Sequence, residues 1–390
     1  MSVIEASSAR TALPIGLLAS AAFLSSAGSR VIDPLLHVLA SDFATSVSAV
    51  SVVVAAFTLP YGLLQLVIGP LGDRVGKLRV LLVALLAYAL ATGACALASN
   101  LPMLTLLRMA AGAASGGLIP VGMAYIGDAV PYGQRQVVLS RFLNGAVLAI
   151  VLAGPFGGVF GQYFGWRGVF LLLAAAALGV AAVLAFRMAD LPDPPGAGRF
   201  SMRHYMTLGR QSFSRRLLLC GMLDGVLLVG CFPFLAPYLH EAFGLPYAAV
   251  GLVLACFGLG ALAYIRLAPQ LVARLGEARM VVIGSAIMAA ALFGGMRAGH
   301  WAAFVPVELL LGFGFFTMHS VLQARATELL PDARATAVSS FAFCLFMGQS
   351  LGALAMGGLI GTIGYQAAFR LDAAGVLILG GLLWALLRHR

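Results

Sequence analysis

Charged residues are scarce in this sequence. Only 10% of its 390 residues are Asp, Glu, Lys or Arg, whereas 61% are hydrophobic. Soluble domains carry charge on about a quarter of their residues, so an ordinary soluble protein is excluded. The apolar runs also lack the strict alternation of a membrane barrel wall, which favours helices. We therefore expect an all-α membrane protein that crosses the bilayer many times.

Cysteine is rare, and acidic residues are outnumbered by basic ones. The five cysteines all lie within apolar runs, at Cys95, Cys220, Cys231, Cys256 and Cys344. Their spacing matches neither a disulfide framework nor a metal site, so we predict no metal and no cofactor. The net charge of +10 is spread thinly over many loops, which indicates an insertion signal and not a nucleic-acid partner.

Long apolar runs dominate the rest of the chain. A helix that crosses a bilayer needs roughly 20 apolar residues, so a chain of this length holds about twelve crossings. We place the spans near residues 13–38, 47–70, 78–98, 102–126, 137–160, 167–187, 217–240, 247–268, 279–297, 301–326, 336–358 and 367–387. The first run is too long for a signal peptide and lacks a clear cleavage site, so it is counted as a span.

One long hydrophilic stretch divides the chain. It contains Leu191-Pro192-Asp193-Pro194-Pro195-Gly196, a composition that ends a helix and starts a linker. The predicted domains are an N-terminal six-helix bundle (residues 1–187), a cytoplasmic linker (188–216) and a C-terminal six-helix bundle (217–390). Basic residues concentrate in alternate loops, including this one, so the positive-inside rule predicts that both termini are cytoplasmic.

An internal repeat relates the two predicted bundles. A shift of 200 positions aligns Phe43 with Phe243, Val50 with Val250, Phe57 with Phe257, Arg74 with Arg274, Gly76 with Gly276, Arg79 with Arg279, Gly112 with Gly312 and Pro131 with Pro331. Coincident Arg, Gly and Pro positions are unexpected by chance in a chain with so little charge. Many transporters that work by alternating access are built from such duplicated halves.

Four short motifs resemble one family. The charged turn Gly69-Pro70-Leu71-Gly72-Asp73-Arg74-Val75-Gly76-Lys77 resembles the signature between helices two and three of the major facilitator superfamily. Residues 107–112, 154–158 and 165–170 resemble the fourth-helix arginine motif, the fifth-helix antiporter motif and the turn after it in the proton-coupled drug antiporter branch. The resemblance implies twelve transmembrane helices in two pseudo-symmetric six-helix halves, and export driven by protons.

The resemblance also implies a cytoplasmic gate. Its members are Gly69, Gly72, Asp73, Arg74, Gly76, Lys77 and Asp128. In this interpretation Asp73 meets the N-terminus of span eleven near Ala335 and Thr336, while Arg74 and Asp128 complete the charge cluster. The alternative is a solvated turn that merely follows the positive-inside rule.

Two departures from the family pattern qualify the resemblance. Val159 replaces the second glycine of the antiporter motif, which is otherwise carried by Gly154, Pro155 and Gly158. Ala273 replaces the acid of the second-half loop, which suggests that only the N-terminal loop acts as a charged gate.

Three ionisable residues share one face of span one. Arg30, Asp33 and His37 are spaced i, i+3 and i+7, and a charge at this depth costs at least about 2.5 kcal/mol unless it is paired or wetted. Arg108 lies at a similar depth in span four, so we predict a cluster of Arg30, Asp33 and Arg108 beside a cavity. Asp33 is the predicted proton-linked carboxylate. The alternative is that Arg30 and Asp33 only satisfy each other.

The second half offers two further acids. Glu308 mirrors Arg108 in span ten and is predicted to bind a cationic group or a second proton. Asp224, in span seven, is the next candidate for proton or substrate coupling. Either acid could instead pair structurally with a neighbour such as Arg325.

These features predict a monomeric transporter in a bacterial inner membrane. Its expected partners are protons, membrane lipid and a small lipophilic or amphipathic compound that it exports. Uptake of a nutrient by proton symport is the alternative within transport. An embedded hydrolase, suggested by Gly348-Gln349-Ser350-Leu351-Gly352, is a weaker alternative because that motif requires a strand, a sharp turn and a helix.

Overall fold

The computed structural model describes residues 14–130, 132–191, 202–330 and 333–388, and within them the chain is helical and contains no strand. Its α-helices, in chain order, are α1 (Ile15–Arg30), α2 (Leu36–Asp42), α3 (Val47–Val50), α4 (Val52–Gln65), α5 (Ile68–Val75), α6 (Lys77–Cys95), α7 (Leu101–Ser115), α8 (Leu118–Ala129), α9 (Tyr132–Arg187), α10 (Met202–Arg210), α11 (Ser212–Asp224), α12 (Leu235–Phe243), α13 (Tyr247–Leu275), α14 (Glu277–Gly295), α15 (Phe304–Thr327) and α16 (Arg334–Arg388).

Nine segments of the described chain are long and apolar enough to cross a membrane. They are Ile15–Asp42, Val47–Gln65, Lys77–Cys95, Leu101–Ala129, Arg141–Asp190, Ser212–Phe243, Tyr247–Gly295, Trp301–Thr327 and Thr336–Arg388. Length and composition therefore make this a multi-pass membrane protein.

Three of the nine segments turn at a glycine. Gly165 within α9, Gly276 between α13 and α14, and Gly364 within α16 have φ angles of 68°, 69° and 77°. Glycine adopts positive φ without the steric cost that a Cβ atom brings, so the chain can reverse at these points. Dividing the three segments at their glycines gives twelve, which is consistent with the predicted number of crossings.

The internal repeat is visible in the helix packing. A Cβ atom added to Gly112 would meet the backbone carbonyl of Phe57, and one added to Gly312 would meet the carbonyl of Phe257. All four residues belong to the 200-residue alignment. Glycine lets the backbones of α7 and α4, and of α15 and α13, approach closely. The boundaries of the two halves near residues 187 and 217 stay a prediction.

Close contacts between α9 and α13 and between α4 and α16 join the first half of the described chain to the second. Between α9 and α13, a Cβ atom on Gly158 would meet the carbonyl of Tyr247. Between α4 and α16, the hydroxyl oxygens of Thr58 and Ser350 lie 2.7 Å apart, and the rings of Tyr61 and Phe346 have centroids 4.4 Å apart. The two halves are therefore in close contact along both of these helix pairs.

Candidate functional site

The first span is broken where its ionisable residues lie. Helix α1 ends at Arg30, a 3-10 turn covers Asp33–Leu35, and α2 begins at Leu36. Pro34 has no N–H to donate and its ring crowds the preceding turn, which favours a kink or break at this point. Nη1 of Arg30 lies 3.5 Å from Oδ2 of Asp33, and both side chains are largely buried.

A cavity opens beside this break. It is lined by Arg30, Asp33, Ile150, Gly154, Phe232, Leu235, Leu254, Phe257 and Glu308. Three of the residues predicted to couple protons to substrate, Arg30, Asp33 and Glu308, therefore lie together although Glu308 is far away in sequence. Gly154 of the antiporter motif also reaches the cavity.

Two carboxylate oxygens in the cavity have no partner. Oδ1 of Asp33 and Oε1 of Glu308 are buried and accept no hydrogen bond in the described part of the chain. The two residues are 8% and 2% exposed. Burial disfavours a charged carboxylate, whereas Arg30, which interacts electrostatically with both acids, favours it. This balance suits groups that gain and lose a proton or a cation.

Aromatic rings form one wall of the cavity. The rings of Phe232 and Phe257 have centroids 4.8 Å apart, and Phe315 packs 5.9 Å from each of them. The guanidinium of Arg30 lies 5.7 Å from the centroid of Phe232. The cavity thus combines charged groups with an apolar, polarisable surface that can hold part of an organic molecule.

The predicted cluster of Arg30, Asp33 and Arg108 does not form as a set of ion pairs. Nη1 of Arg108 donates to the carbonyl of Gly28 at 2.8 Å, and its guanidinium lies 4.2 Å from the ring centroid of Phe57. Gly28 is in the last turn of α1, where carbonyls lack an amide partner within the helix, so Arg108 caps the broken helix. It still interacts electrostatically with Asp33. The carboxylate that Arg30 and Asp33 face instead is Glu308.

Asp224 lies in another part of the second half. Its Oδ2 is 2.6 Å from Nδ1 of His319, and both residues are buried. Arg325, the partner suggested from sequence, pairs with Glu277 instead. The sequence analysis missed His319. A histidine inside an apolar span was the available signal, since such a group is costly unless it is paired.

The charged turn after the second span contains a buried ion pair. Nζ of Lys77 lies 2.6 Å from Oδ2 of Asp128, and Lys77 is 3% exposed. The structure thus gives Asp128 a partner in Lys77, where the sequence had grouped it with Arg74, whose side chain is exposed. Gly76 has a φ of 100°, which forms the sharp turn into α6.

Two members of the predicted gate, Gly69 and Asp73, lie outside the residues whose side chains the structure describes, as does Ala335, the predicted neighbour of Asp73. The predicted contact of Asp73 with the N-terminus of span eleven therefore stays a prediction. Glu277 and Arg325 form an ion pair between the start of α14 and the end of α15, so the second half also has a charged contact near its corresponding turn. That only the first-half loop acts as a gate stays a prediction.

The antiporter motif packs against the second half. A Cβ atom on Gly251 of α13 would meet the carbonyl of Gly154, and Gly158 lies against the carbonyl of Tyr247. Pro155 lies inside the continuous helix α9. The motif therefore sits at the junction of the two halves, directly beside the cavity, where small residues allow a close seal.

Further contacts between the two halves lie beyond the cavity, toward the end of the bundle where Asp42 is located. Nδ1 of His37, one turn past Asp33, lies 3.2 Å from Oε1 of Glu241, and the Tyr365 hydroxyl donates to the same oxygen at 3.0 Å. These contacts link α2, α12 and α16. They lie between the cavity and this end of the molecule.

The turn after the antiporter motif is held at the same end. Trp166 Nε1 and Arg167 Nη1 both donate to Oδ2 of Asp42, at 2.9 and 2.8 Å. Arg167 also donates to the carbonyl of Ala98 at 3.2 Å. One arginine and one tryptophan thus tie three helix ends of the first half together.

The motif that suggested a hydrolase lies within α16. Ser350 bonds the hydroxyl of Thr58 and donates to the carbonyl of Phe346 at 2.9 Å. A continuous helix cannot form the strained strand-to-helix turn that exposes a nucleophilic serine. The hydrolase alternative is therefore wrong, and Ser350 is an interhelical contact.

Comparisons with known proteins agree with this architecture. The family model described as Major Facilitator Superfamily matches residues 18–232 and 217–390. The MFS-type transporter YwfA of Bacillus subtilis (strain 168) is 24% identical over 365 residues, covering 90% of this chain and 86% of the relative. The chloramphenicol resistance protein of Streptomyces lividans is 25% identical over 343 residues, covering 88% of each.

A further relative and two solved structures extend the likeness. The putative multidrug resistance protein MdtD of Cronobacter sakazakii (strain ATCC BAA-894) is 24% identical over 412 residues, covering 91% of this chain and 88% of the relative. A bacterial homolog of the human lysosomal transporter Spinster, inward-facing and unoccupied, matches with a TM-score of 0.79 at 18% identity, covering 96% of both chains. A D-xylose-proton symporter matches with a TM-score of 0.77 at 15% identity, covering 95% and 96%.

Proposed function

This chain belongs to the Major Facilitator Superfamily, a family of transport proteins and not of enzymes, and we propose that it exports a small lipophilic or amphipathic compound in exchange for protons. The names of two relatives, a chloramphenicol resistance protein and a putative multidrug resistance protein, support export. The position of Gly154, Pro155 and Gly158 at the junction of the halves also supports an antiporter.

One observation carries the proposal. Asp33 and Glu308 reach the same cavity from different halves of the chain, and each has a buried oxygen without a hydrogen-bond partner in the described residues. A single guanidinium, that of Arg30, faces two acids. A proton or the cationic group of a substrate can satisfy the second acid, but both cannot occupy it at once. That competition is the simplest physical basis for exchanging one for the other.

The cavity also supports a preference among compounds. Phe232 and Phe257 provide a surface for an aromatic or aliphatic body, and Glu308 provides a site for a positive charge. We propose that lipophilic cations and amphipathic weak bases bind better than anions. An anion would face both carboxylates and could gain only the contact with Arg30.

The transport cycle follows from the two-half architecture. We propose that residues 1–187 and 217–390 rock against each other about the cavity and are joined by the linker at 188–216. We propose further that Asp73, Arg74 and the Lys77–Asp128 pair stabilise the cytoplasmic side in one of the two states of this cycle. With both termini cytoplasmic, the contacts of His37 and Tyr365 with Glu241 lie on the external side. We propose that these contacts close the cavity to the outside.

The energy of proton entry is sufficient for this work. One proton that moves inward yields about 2.3 kcal/mol for each 100 mV of membrane potential and about 1.4 kcal/mol for each pH unit. A tenfold substrate gradient costs about 1.4 kcal/mol for a neutral compound. One proton per cycle can therefore maintain a gradient of roughly a hundredfold at ordinary potentials.

Nutrient uptake by proton symport is the second candidate. The likeness to a D-xylose-proton symporter keeps it open, because the same fold serves both directions of coupling. The two candidates predict opposite effects of a pH gradient: antiport accumulates the compound in the acidic compartment, whereas symport carries it out of that compartment with the protons.

The test uses the purified protein in proteoliposomes with ethidium and chloramphenicol as probes. We expect an acidic lumen to drive accumulation of at least one probe. We expect Asp33→Asn to abolish this accumulation but to retain at least part of the probe exchange measured at equal pH, because the asparagine still fills the site without releasing a proton. Unchanged pH-driven accumulation in the variant would refute the role of Asp33.

One matched control and two further measurements complete the test. Asp42→Asn removes a carboxylate from the same span, but that carboxylate bonds Trp166 and Arg167 outside the cavity, so pH-driven accumulation should persist. A C-terminal fluorescent fusion in a bacterial host should fluoresce from the inner membrane with its tag inside. Size determination in nanodiscs should give one copy per particle.

A further inference from the structure

A second pair of titratable groups lies inside the second half, away from the cavity. Asp224 Oδ2 is 2.6 Å from His319 Nδ1, and the two residues are 0% and 8% exposed. Oδ1 of Asp224 has no hydrogen-bond partner in the described chain. Neither residue lines the cavity of Arg30, Asp33 and Glu308.

The surroundings of the pair are apolar. The imidazole of His319 stacks on Phe315 with centroids 4.8 Å apart, and Phe341 of α16 packs 5.8 Å away. Cys220, one turn earlier on α11, is the other titratable group that interacts with Asp224. Without a proton on the imidazole, the pair leaves one uncompensated negative charge in this setting. With it, the pair is a neutral ion pair, so binding one proton removes a large desolvation cost.

The backbone changes its helical form at Asp224. Helix α11 ends there, and Gly225–Val229 form a π turn in which the amide of Gly230 donates to the carbonyl of Gly225 at 2.9 Å. A π turn holds one residue more than an α turn and often marks a functional site. If the extra residue left the π turn and the segment became a regular α-helix, the following helix would rotate by about 100°. The turn therefore offers a place where the register of this span can change.

The π turn touches α16 without intervening side chains. A Cβ atom on Gly225 would meet the carbonyl of Leu345, and one on Gly352 would meet the carbonyl of Val226. Because these backbones are in direct contact, a change in the π turn must move α16. Helix α16 is in turn bonded to the first half through Ser350 and Thr58.

We propose that Asp224 and His319 form a second proton-binding site, whose occupancy is transmitted through the π turn to the contact between α16 and α4. The ligand is a proton, which forms an N–H bond with the free ring nitrogen of the imidazole and breaks that bond again when it leaves. The proposal deepens the proposed function, since it rests on protons being the coupled ion. It also supplies a site whose proton does not compete directly with substrate for the cavity.

The first experiment measures hydrogen exchange of the full-length protein in nanodiscs, with no substrate present. Between about pH 5.5 and about pH 8, the range in which histidine usually titrates, we expect exchange in residues 225–231 and 343–352 to change about tenfold beyond the intrinsic pH effect. The double variant Asp224→Asn with His319→Gln keeps an amide-to-amide hydrogen bond but cannot titrate. In these segments, hydrogen exchange of the double variant should show only the intrinsic pH effect.

A matched control removes a different ion pair of α15. Glu277→Gln breaks the pair with Arg325 at the end of the bundle and should leave the pH effect intact. A wild-type pH effect in the double variant would overturn the proposal, as would a wild type with no pH effect in these segments. If the double variant does not fold, His319→Gln alone removes the imidazole that receives the proton, and the pH effect between about pH 5.5 and about pH 8 should be lost.

The second experiment separates this proposal from the proposed function. In proteoliposomes, pH-driven ethidium accumulation by the double variant should be about tenfold lower than by the wild type. Ethidium exchange at equal pH should stay close to the wild-type rate. Asp33→Asn should lose driven accumulation but keep the pH effect on hydrogen exchange. Absence of driven transport in the wild type would defeat the proposed function alone, and wild-type driven transport in the double variant would defeat the second proton site alone.

Discussion

The helix pair that carries Arg108 and the pair that carries Glu308 share their packing but differ in charge. In each half, a glycine four residues later lies against the carbonyl of a phenylalanine, at Gly112 and Phe57 or at Gly312 and Phe257. Arg108 caps the end of α1, whereas Glu308 faces the cavity with an unpartnered oxygen. The backbone contacts are thus the same in both halves, whereas the ionisable residues at the corresponding positions make different contacts.

The same divergence occurs at the turns after the second and eighth spans. Lys77 begins α6 and pairs with Asp128, whereas Glu277, 200 positions later, begins α14 and pairs with Arg325. The location of the ion pair is kept and its polarity is reversed. The first pair is nearly buried on the lysine side, while both partners of the second are about one-third exposed.

The interiors of the halves differ as well. Between the first and fourth spans, Ser115 donates to Ser25 at 3.0 Å, and both hydroxyls are buried. Between the seventh and tenth spans, the buried polar contact is Asp224 with His319. Between these spans the first half therefore has a neutral contact, whereas the second half has an ionisable pair.

The largest expected effect comes from Arg108→Met. Removing a buried guanidinium leaves the carbonyl of Gly28 without its charged donor, and hydrogen bonds to charged groups contribute about 1.5–3 kcal/mol each. We expect a clear drop in the melting temperature in nanodiscs together with loss of transport. Glu308→Gln should instead keep the melting temperature or raise it, and should lose only pH-driven accumulation. Equal destabilisation by both changes would break the comparison.

The next effect concerns the two ion pairs of reversed polarity. Lys77→Met removes the ion-pair partner of Asp128, whose side chain is 27% exposed, so the cost should stay below the roughly 3 kcal/mol of a fully buried pair. Glu277→Gln breaks the more exposed pair and should cost less than about 1 kcal/mol. Thermal unfolding of the two variants checks the ranking. The reversed pair Lys77→Glu with Asp128→Lys should recover part of the loss, since the second half tolerates that polarity.

The smallest expected effect tests the shared packing. Gly112→Ala and Gly312→Ala each push a methyl group against a backbone carbonyl, and such overpacking typically costs about 1–3 kcal/mol. Because the two environments match, the melting temperatures should fall by similar amounts. Gly358→Ala, where an added Cβ atom meets nothing within 4 Å, is the control and should not destabilise. A large difference between the first two variants would show that the repeat does not extend to packing.

Much of the fold was predictable because the bilayer imposes it. Apolar length predicted helices, glycines at 76 and 276 predicted matching turns, and both glycines have positive φ. Pro34 lies in the first span, and its missing N–H indicates from sequence a kink where the structure has a break. Ionisable residues at membrane depth correctly drew attention to Arg30, Asp33 and Glu308, since their cost requires partners or a cavity.

The partners of the charged residues were harder to predict. Arg108 was expected to meet Asp33, but a carbonyl at the broken end of α1 was a closer acceptor. Arg325 was the partner suggested for Asp224 from sequence, whereas the structure places His319 beside it. A span that is apolar around its whole circumference carries no signal for its rotation, so pairs between spans cannot be read from spacing alone.

By itself, the sequence determined the class of protein, the positions of its spans, the internal repeat and the short list of groups that must avoid lipid. Those properties depend on composition and on distances along one chain, which the bilayer converts directly into helices. Only the tertiary structure decided that Asp33 and Glu308 share a cavity and that Asp224 faces His319 across a π turn. Such meetings depend on how each helix is rotated and how closely glycines let it approach, and both are set by packing between distant segments.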